Sequence, residues 1–379
     1  MTKMKAVVKV KPERGGAEFA DVDIPTIGQD EVLVRVQATS ICGTDVHIYE
    51  WNPWAQRRIG EKRLPQILGH EVAGEVVEVG EFVKNIKKGD YVSSETHIYD
   101  PGDLTSLLGQ RNVGEHMQIL GVDRDGVFAE YVMVPERVCW INDRSIPPEF
   151  ASVQEPLGNG VYAVLGEDAD VAGKSMVIVG DGPTALFATG VARATGVAKI
   201  IVVGYSDFNM EIARRMGADY LLDIKKTSLE ERHQFVLEQT AGYGVDISLE
   251  MVGGEVPVRE AFRHLRKGGR LTAFGIAAEP EVPIDYNNGI VFKGAQIHGI
   301  SGRKLFDTWY RMRGLLANKR LDISPVVTHV LALDDFEKGF EMLLSEPRLA
   351  AKIVLFPDKG ELKSAKERLS QKRDMPAAD

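Results

Sequence analysis

The sequence predicts an α/β protein of two domains, a β-rich domain that opens the chain and a doubly wound parallel sheet that follows it. Three observations lead to that reading. The chain is 379 residues long, too long for one small core. Its first half is a series of short apolar runs punctuated by glycine and proline, the pattern of strands and turns. Around residue 172 the pattern changes to continuous apolar runs separated by helical stretches, as buried parallel strands and their crossover helices read.

In the first half, Lys5–Lys9, Glu31–Ala38, Val72–Val79 and Phe128–Pro135 are the strand candidates. Ser175–Val179 (SMVIV) then runs into Gly180-Asp181-Gly182, and a helix pattern follows through Ala194. Lys199–Val203 (KIIVV), a helix at Glu211–Met216, and runs at Tyr220–Asp223, Ile247–Glu250, Arg270–Gly275 and Gln296–Ile300 continue the series. From about Asp307 to Leu344 the pattern is helical and amphipathic. Ala351–Phe356 reads as a last strand that closes back onto the first domain. The expected division is 1–157 with 297–379 for the first domain and 158–296 for the second.

Apolar residues at 44% and charged residues at 27% are ordinary for a globular chain. A net charge of −9 excludes a surface built for nucleic acid, which needs a basic stripe. No apolar run approaches the ~18 residues of a membrane span, so no membrane partner is expected. The opening Met1-Thr2-Lys3-Met4-Lys5 lacks the apolar core of a signal peptide. Cys42 and Cys139 do not make a disulfide framework in a chain of this length. Together these features point to the cytoplasm.

Gly180-Asp181-Gly182-Pro183-Thr184-Ala185 stands where a strand turns into a helix. Small residues there let the backbone approach a pyrophosphate, and the helix N-terminus offers N–H groups and a favourable dipole. A glycine-rich turn alone is weak, but the strand before, the helix after and the second strand at the right distance make a dinucleotide site the better reading. The motif is imperfect, with Ala185 in place of its last glycine. An acid at the end of the second strand would bond the ribose 2′-OH of NAD and repel a 2′-phosphate, and this strand ends at Gly204. Ser206 could donate to a phosphate, although no arginine shares its turn. The expected cofactor is therefore NAD(P), leaning slightly to NADP.

Ile41-Cys42-Gly43-Thr44-Asp45 and Gly69-His70-Glu71 lie in the first domain, with Gln154-Glu155-Pro156 near its end. Thiolate, imidazole and carboxylate can form a tetrahedral zinc site with one open position. Such a site would lower the pKa of a bound alcohol, whose hydride then leaves for a nicotinamide. The chemistry needs a proton exit, and Thr44 and His47 are spaced for a hydroxyl-to-imidazole relay. Isolated cysteines are most often small buried hydrophobes, which is the reading of Cys139 in Val138-Cys139-Trp140. Spacing alone does not show that the other groups converge.

These residues carry a resemblance over nearly the whole chain, about residues 4–356. The chain resembles the zinc-dependent medium-chain dehydrogenases, and within them the branch that oxidises L-threonine at its 3-hydroxyl. The specific stretches are ICGTDVHIYEWNPW (41–54), LGHEVAGEVVEVG (68–80), EPLGNGVYAVL (155–165), VDISLEMVGG (245–254) and GISGRKLFDTWYRM (299–312). The resemblance implies a GroES-like catalytic domain and a Rossmann nucleotide-binding domain. It implies Cys42, His70 and Glu155 around a catalytic zinc, with Glu71 as a carboxylate that can enter or leave the metal shell. Thr44 and His47 match the family's proton relay and His97 a histidine near the substrate. Gly180, Gly182 and Pro183 match the pyrophosphate turn, and Ile276, Ile300 and Ser301 fall where backbone groups meet the nicotinamide. It also implies a homo-oligomer, a dimer or homotetramer.

Two departures stand out. Most relatives hold a second, structural zinc on four cysteines in a lobe that here spans Tyr99–Gly121. The matching positions are Asp100, Asp103, Ser106 and Gly114, so one zinc per chain is expected and the lobe must hold itself by packing or by another subunit. The second departure is Gly204, where the threonine branch carries an acid. Both departures are shared by polyol and sugar dehydrogenases, which makes a polyol or simple secondary alcohol the alternative substrate; the Trp51, Trp54 and Trp309 segments favour the threonine branch. An amino-acid substrate needs a partner for its carboxylate, for which Arg57, Arg58 and Arg303 are the candidates. A non-catalytic or zinc-free protein on the same fold is the reading of a different class, and the complete set Cys42, Thr44, His47, His70 and Glu155 argues against it.

Overall fold

The computed structural model describes residues 2–279 and 281–373. By its internal contacts the chain forms two units, one of residues up to Glu155 together with those from Val327 onward, the other Pro156–Val326. The chain returns to the first unit at 327 and not at the expected 297. The reason lies in two elements. Gln296–Gly299 pairs in parallel with Leu265–Ala273, and helix Asp307–Ala317 follows inside the same unit.

The first unit is β-rich. Its seven-stranded sheet runs Cys139–Ile141, Tyr91–Ser94, Glu71–Val79, Glu31–Ser40, Lys352–Phe356, Val327–Ala332, with Tyr131–Pro135 also paired to Glu31–Ser40. A separate three-stranded sheet of Ala17–Asp23, Lys3–Lys9 and Gln66–Ile67, in that order, belongs to the same unit. Alternate residues of Lys3–Lys9 face one core, where Met4, Ala6 and Val8 pack with Ile67 and Ala129, the period of two that a half-buried strand requires.

Two features of this unit depart from the expected pattern. The stretch read as helical to Leu344 contains the strand Val327–Ala332 before helix Phe336–Leu344. Its β-branched Val-Thr-His-Val pairs in parallel with Lys352–Phe356, so sheet pairing wins over local helical character. The charged tail also forms a helix, Lys359–Arg373, in which Leu362, Ala365 and Leu369 are buried at helical spacing.

The second unit is a six-stranded parallel sheet in the order Tyr220–Asp223, Lys199–Gly204, Ser175–Val179, Val245–Glu250, Leu265–Ala273, Gln296–Gly299. Its inner strands are apolar throughout because helices cover both faces. Val177, Val179, Ile201, Val203, Leu222 and Leu271 share one core with Ala261 and Phe262 of helix Glu255–His264. The first strand, Ser175–Val179, passes through the glycine turn into helix Pro183–Ala194. The order reverses beside this strand, with Lys199–Gly204 on one side and Val245–Glu250 on the other. That is the switch point at which open α/β sheets bind ligands.

Candidate active site

Cys42 stands immediately before helix Gly43–Glu50, and His70 and Glu71 open the strand Glu71–Val79. Asp45, fully buried, ties the two segments together. Its carboxylate accepts from the Cys42 backbone N–H at 2.8 Å and from the Gly69 N–H at 3.2 Å. Gly69 takes a φ of +87°, and a Cβ there would lie 2.1 Å from the Phe128 ring. Only glycine fits that turn, and the turn is what delivers His70.

A cysteine sulfur, a His70 ring nitrogen and a Glu71 carboxylate oxygen all come within 4.8 Å of one another. His70 and Glu71 are buried. His70 Nδ1 has no hydrogen-bond partner, lying 3.6 Å from Asp45 Oδ1. Burial opposes charging this ring, yet the charges of Asp45 and Cys42 outweigh it and hold its pKa well above the usual histidine range. A buried pocket of sulfur, nitrogen and oxygen donors that draws positive charge suits a borderline-soft dication such as zinc.

Glu71 has an unexpected partner. Lys352, on the strand Lys352–Phe356 and equally buried, places Nζ 2.7 Å from Glu71 Oε1 and 2.6 Å from Oε2. It also donates to Ile41 O at 2.9 Å, and Ser40 Oγ donates to Glu71 Oε2. Burial raises the Glu71 pKa and Lys352 lowers it, while the neighbouring Glu155 charge adds to the rise and the net direction is upward. Glu155, on the first turn of helix Gln154–Leu165, is buried and lies outside the compact trio.

Thr44 and His47 sit three residues apart on helix Gly43–Glu50 and so share a face. Thr44 is half-buried and His47 exposed. Asn52 Nδ2 lies 2.8 Å from His47 Nδ1, and the ring packs against Trp54 with centroids 5.9 Å apart. Partial desolvation of the ring lowers the His47 pKa. His97, buried on the short strand His97–Ile98, has Nδ1 3.5 Å from Glu95 Oε1. Cys139 is a buried hydrophobe, its thiol pushed up to about 12 by burial. Of the three arginines considered for a substrate carboxylate, Arg58 is held by Asp123 at 2.6 and 2.5 Å. Arg303 is fully buried with Nη1 2.8 Å from Asn159 Oδ1, and Arg57 is exposed.

In the lobe, Asp103 clasps His116 with both carboxylate oxygens. One carboxylate oxygen accepts from the His116 N–H at 2.9 Å and the other meets His116 Nδ1 at 2.5 Å. Asp100 turns onto the Gly102 N–H at 2.7 Å. Ser106 is buried, and a Cβ at Gly114 would lie 2.8 Å from Asp103 Oδ2. The strands His97–Ile98 and Gln118–Ile119 pair at the base of the lobe.

The cofactor candidates belong to the second unit, and its parallel strands bring them to one edge. Gly180, Gly204, Ile276 and Ile300 each lie at or just beyond the carboxyl end of a strand. Gly180 has a φ of +127°, and a Cβ at Gly182 would meet nothing within 4 Å, leaving the turn open. Gly182 caps helix Pro183–Ala194 without a side-chain hydrogen bond, so the first N–H groups remain for a phosphate. Thr184 is half-buried on the first turn; Ser206 caps helix Asp207–Arg215, and Ser301 is exposed. Asp45, Lys352 and Asp181, considered below, are the residues the sequence did not single out. A lysine inside the apolar run Ala-Lys-Ile-Val-Leu-Phe was the available signal for Lys352, since a buried charge requires a partner.

Residues 28–143 match the family model described as alcohol dehydrogenase GroES-like domain, and residues 183–318 match the model described as zinc-binding dehydrogenase. The chain is 44% identical to L-threonine 3-dehydrogenase of Thermococcus kodakarensis over 94% of this chain and 99% of that one. It is 46% identical to L-threonine 3-dehydrogenase of Pyrococcus furiosus over 90% of this chain and 95% of that one. The solved structure of 2R,3R-butanediol dehydrogenase from Bacillus subtilis is similar with a TM-score of 0.83 at 29% identity, covering 94% of this chain and 100% of that one.

Proposed function

Because the chain belongs to the zinc-dependent medium-chain alcohol dehydrogenase family, we propose that it oxidises L-threonine to 2-amino-3-ketobutyrate with NAD(P)+ as hydride acceptor. The convergence of Cys42 and His70, with the Glu71 carboxylate beside them, carries this reading, together with the near full-length likeness to two L-threonine 3-dehydrogenases. Zinc would supply the Lewis acidity that lowers the pKa of the substrate hydroxyl, and the nicotinamide would take the hydride.

Cys42, His70 and Glu155 would hold one zinc per chain. Lys352 and Ser40 restrain Glu71 from the other side through bonds to its carboxylate oxygens, which leaves Glu71 able to approach the metal only by giving them up. Thr44 Oγ1 accepts the substrate proton as its own hydroxyl proton moves on towards His47, which releases a proton to solvent. Their burial supports this order, one half-buried and the other exposed, as does the lowered His47 pKa, which keeps the ring neutral and able to accept. His97 borders the substrate. In this reading the first unit holds zinc and substrate and the second holds the dinucleotide at Gly180, Gly182, Pro183, Thr184, Gly204, Ser206, Ile276, Ile300 and Ser301.

The likeness to a butanediol dehydrogenase supports a second reading, oxidation of a diol or polyol by the same chemistry. Initial rates with L-threonine, sorbitol-like polyols and 2,3-butanediol, each with NAD+ and NADP+, separate the two. Threonine giving the highest kcat/KM is expected; threonine below every polyol and diol would refute the first reading.

Assembly follows from the edge strand Gln296–Gly299, which pairs on one side only among the described residues. Ile297, Phe292 and Tyr286 are exposed around it. An open edge beside apolar side chains favours pairing with a second copy, hence a dimer or a tetramer. Neither Cys42 nor Cys139 is in a disulfide, which suits the reducing cytoplasm, and no helix among the described residues is long and apolar enough to cross a membrane.

A further inference from the structure

The acid absent from the end of the second nucleotide-unit strand is supplied from another element. Asp181, the middle residue of the glycine turn, is 5% exposed. It reaches across to the end of the strand Lys199–Gly204, where its Oδ2 accepts from the Ser206 N–H at 2.8 Å and the Tyr205 N–H at 3.2 Å. The two positions are sterically linked. A Cβ at Gly204 would lie 2.6 Å from Met210 Sδ, the movable end of a flexible side chain, and 2.8 Å from Asp181 Cβ and 2.9 Å from its carboxyl carbon. With Asp181 in place, no side chain fits at 204, so the glycine there accompanies an acid.

We propose that Asp181 is the cofactor-selecting acid of this chain, so that the enzyme takes NAD and rejects NADP. The inference rests on the dinucleotide reading of the Gly180 turn, and it reverses the lean that Gly204 alone suggested. Two arguments support it. The N–H groups of Tyr205 and Ser206 open the helix Asp207–Arg215 and are the donors a 2′-phosphate would seek, and the Asp181 carboxylate already occupies them. An acid at this place in the fold accepts the ribose 2′-OH of NAD, and the two oxygens of a carboxylate offer about four acceptor sites to share among several donors.

The surrounding charge agrees. The cations beyond the third strand, Lys225 and Lys226, lie 3.4 Å from Asp207, and Lys226 lies 2.9 Å from Asp223. Two carboxylates thus pair with the two ammonium groups at this end of the sheet, which leaves Asp181 as a further negative charge that would repel a 2′-phosphate. Ser206 Oγ faces its own helix, accepting from the Asn209 N–H at 3.3 Å.

The test is direct titration of the zinc-loaded protein with NADH and with NADPH, followed by nucleotide fluorescence. The wild type should bind NADH at least about 100-fold more tightly than NADPH, and Asp181→Asn should narrow that ratio at least about tenfold. The double variant Asp181→Gly with Gly204→Asp, which returns the acid to the strand end, should restore the preference for NADH. Equal binding of both nucleotides by the wild type, or an unchanged ratio in Asp181→Asn, overturns the assignment of Asp181. Failure of the folded wild type to bind either nucleotide overturns the dinucleotide reading itself, and this inference with it.

Discussion

The pair Glu71–Lys352 shows how much of the site depends on single residues. Both side chains are buried, and each is tolerated only because the other is present. Lys352→Met should therefore lower stability by about 3–5 kcal/mol, read as the urea midpoint of the zinc-loaded protein, and Lys352→Arg should retain most of it. The double variant Glu71→Gln with Lys352→Met should lose less than the sum of the single variants; additive losses would show that the pair is not coupled. At the relay, His47→Ala should lower kcat roughly 100-fold, with partial rescue by added imidazole, whereas an unchanged kcat would remove His47 from the proton path. Cys42, His70 and Glu71 were singled out in the sequence by chemical type and by the family resemblance, but their coming within 4.8 Å of one another was not legible there. Lys352 was not singled out, because its partner lies 281 residues away and no local pattern records such a pairing.

Among the elements, the lobe Tyr99–Gly121 is clasped by the ion pair of Asp103 and His116. The bond to His116 lowers the Asp103 pKa, and the bond to Asp103 raises that of His116. The raised histidine contributes stability that is complete below its ordinary value of 6.5 and is lost as pH rises through its folded value. The lowered aspartate contributes above its ordinary 3.8 and is lost as pH falls through its folded value. The lobe should thus be tightest between these two ordinary values and loosen on the alkaline side. Amide exchange at His116, corrected for its intrinsic pH dependence, should rise as His116 deprotonates, and Asp103→Asn should abolish that rise. A corrected rate that does not vary with pH in the wild type would contradict the clasp.

The same scale shows where pattern reading stops. The strands Ser175–Val179 and Tyr220–Asp223 were legible to the residue, since continuous β-rich apolar runs between helices admit little else. Val327–Ala332 was read as helix because its pairing partner, Lys352–Phe356, lies further along the chain. The final helix Lys359–Arg373 was hidden by its charge, three buried apolar residues being too few to dominate the pattern.

For the whole molecule, the division into a β-rich unit and a parallel-sheet unit was legible, while the return at Val327 depended on which sheet the strand Gln296–Gly299 joins. That strand is also where the proposed pairing with a second copy would form. Ile297→Lys on the open edge should shift the mass in solution towards the monomer, measured by light scattering on a sizing column; an unchanged mass would place the interface elsewhere. The central claim is that one catalytic zinc is held by Cys42 and His70, in a chain that has no second zinc site. Metal analysis by plasma mass spectrometry on the wild type and on Cys42→Ser tests it most directly. The account predicts about one zinc per wild-type chain and almost none in Cys42→Ser, with NADH binding retained. About two zinc ions per wild-type chain, none, or a full complement in Cys42→Ser would contradict it.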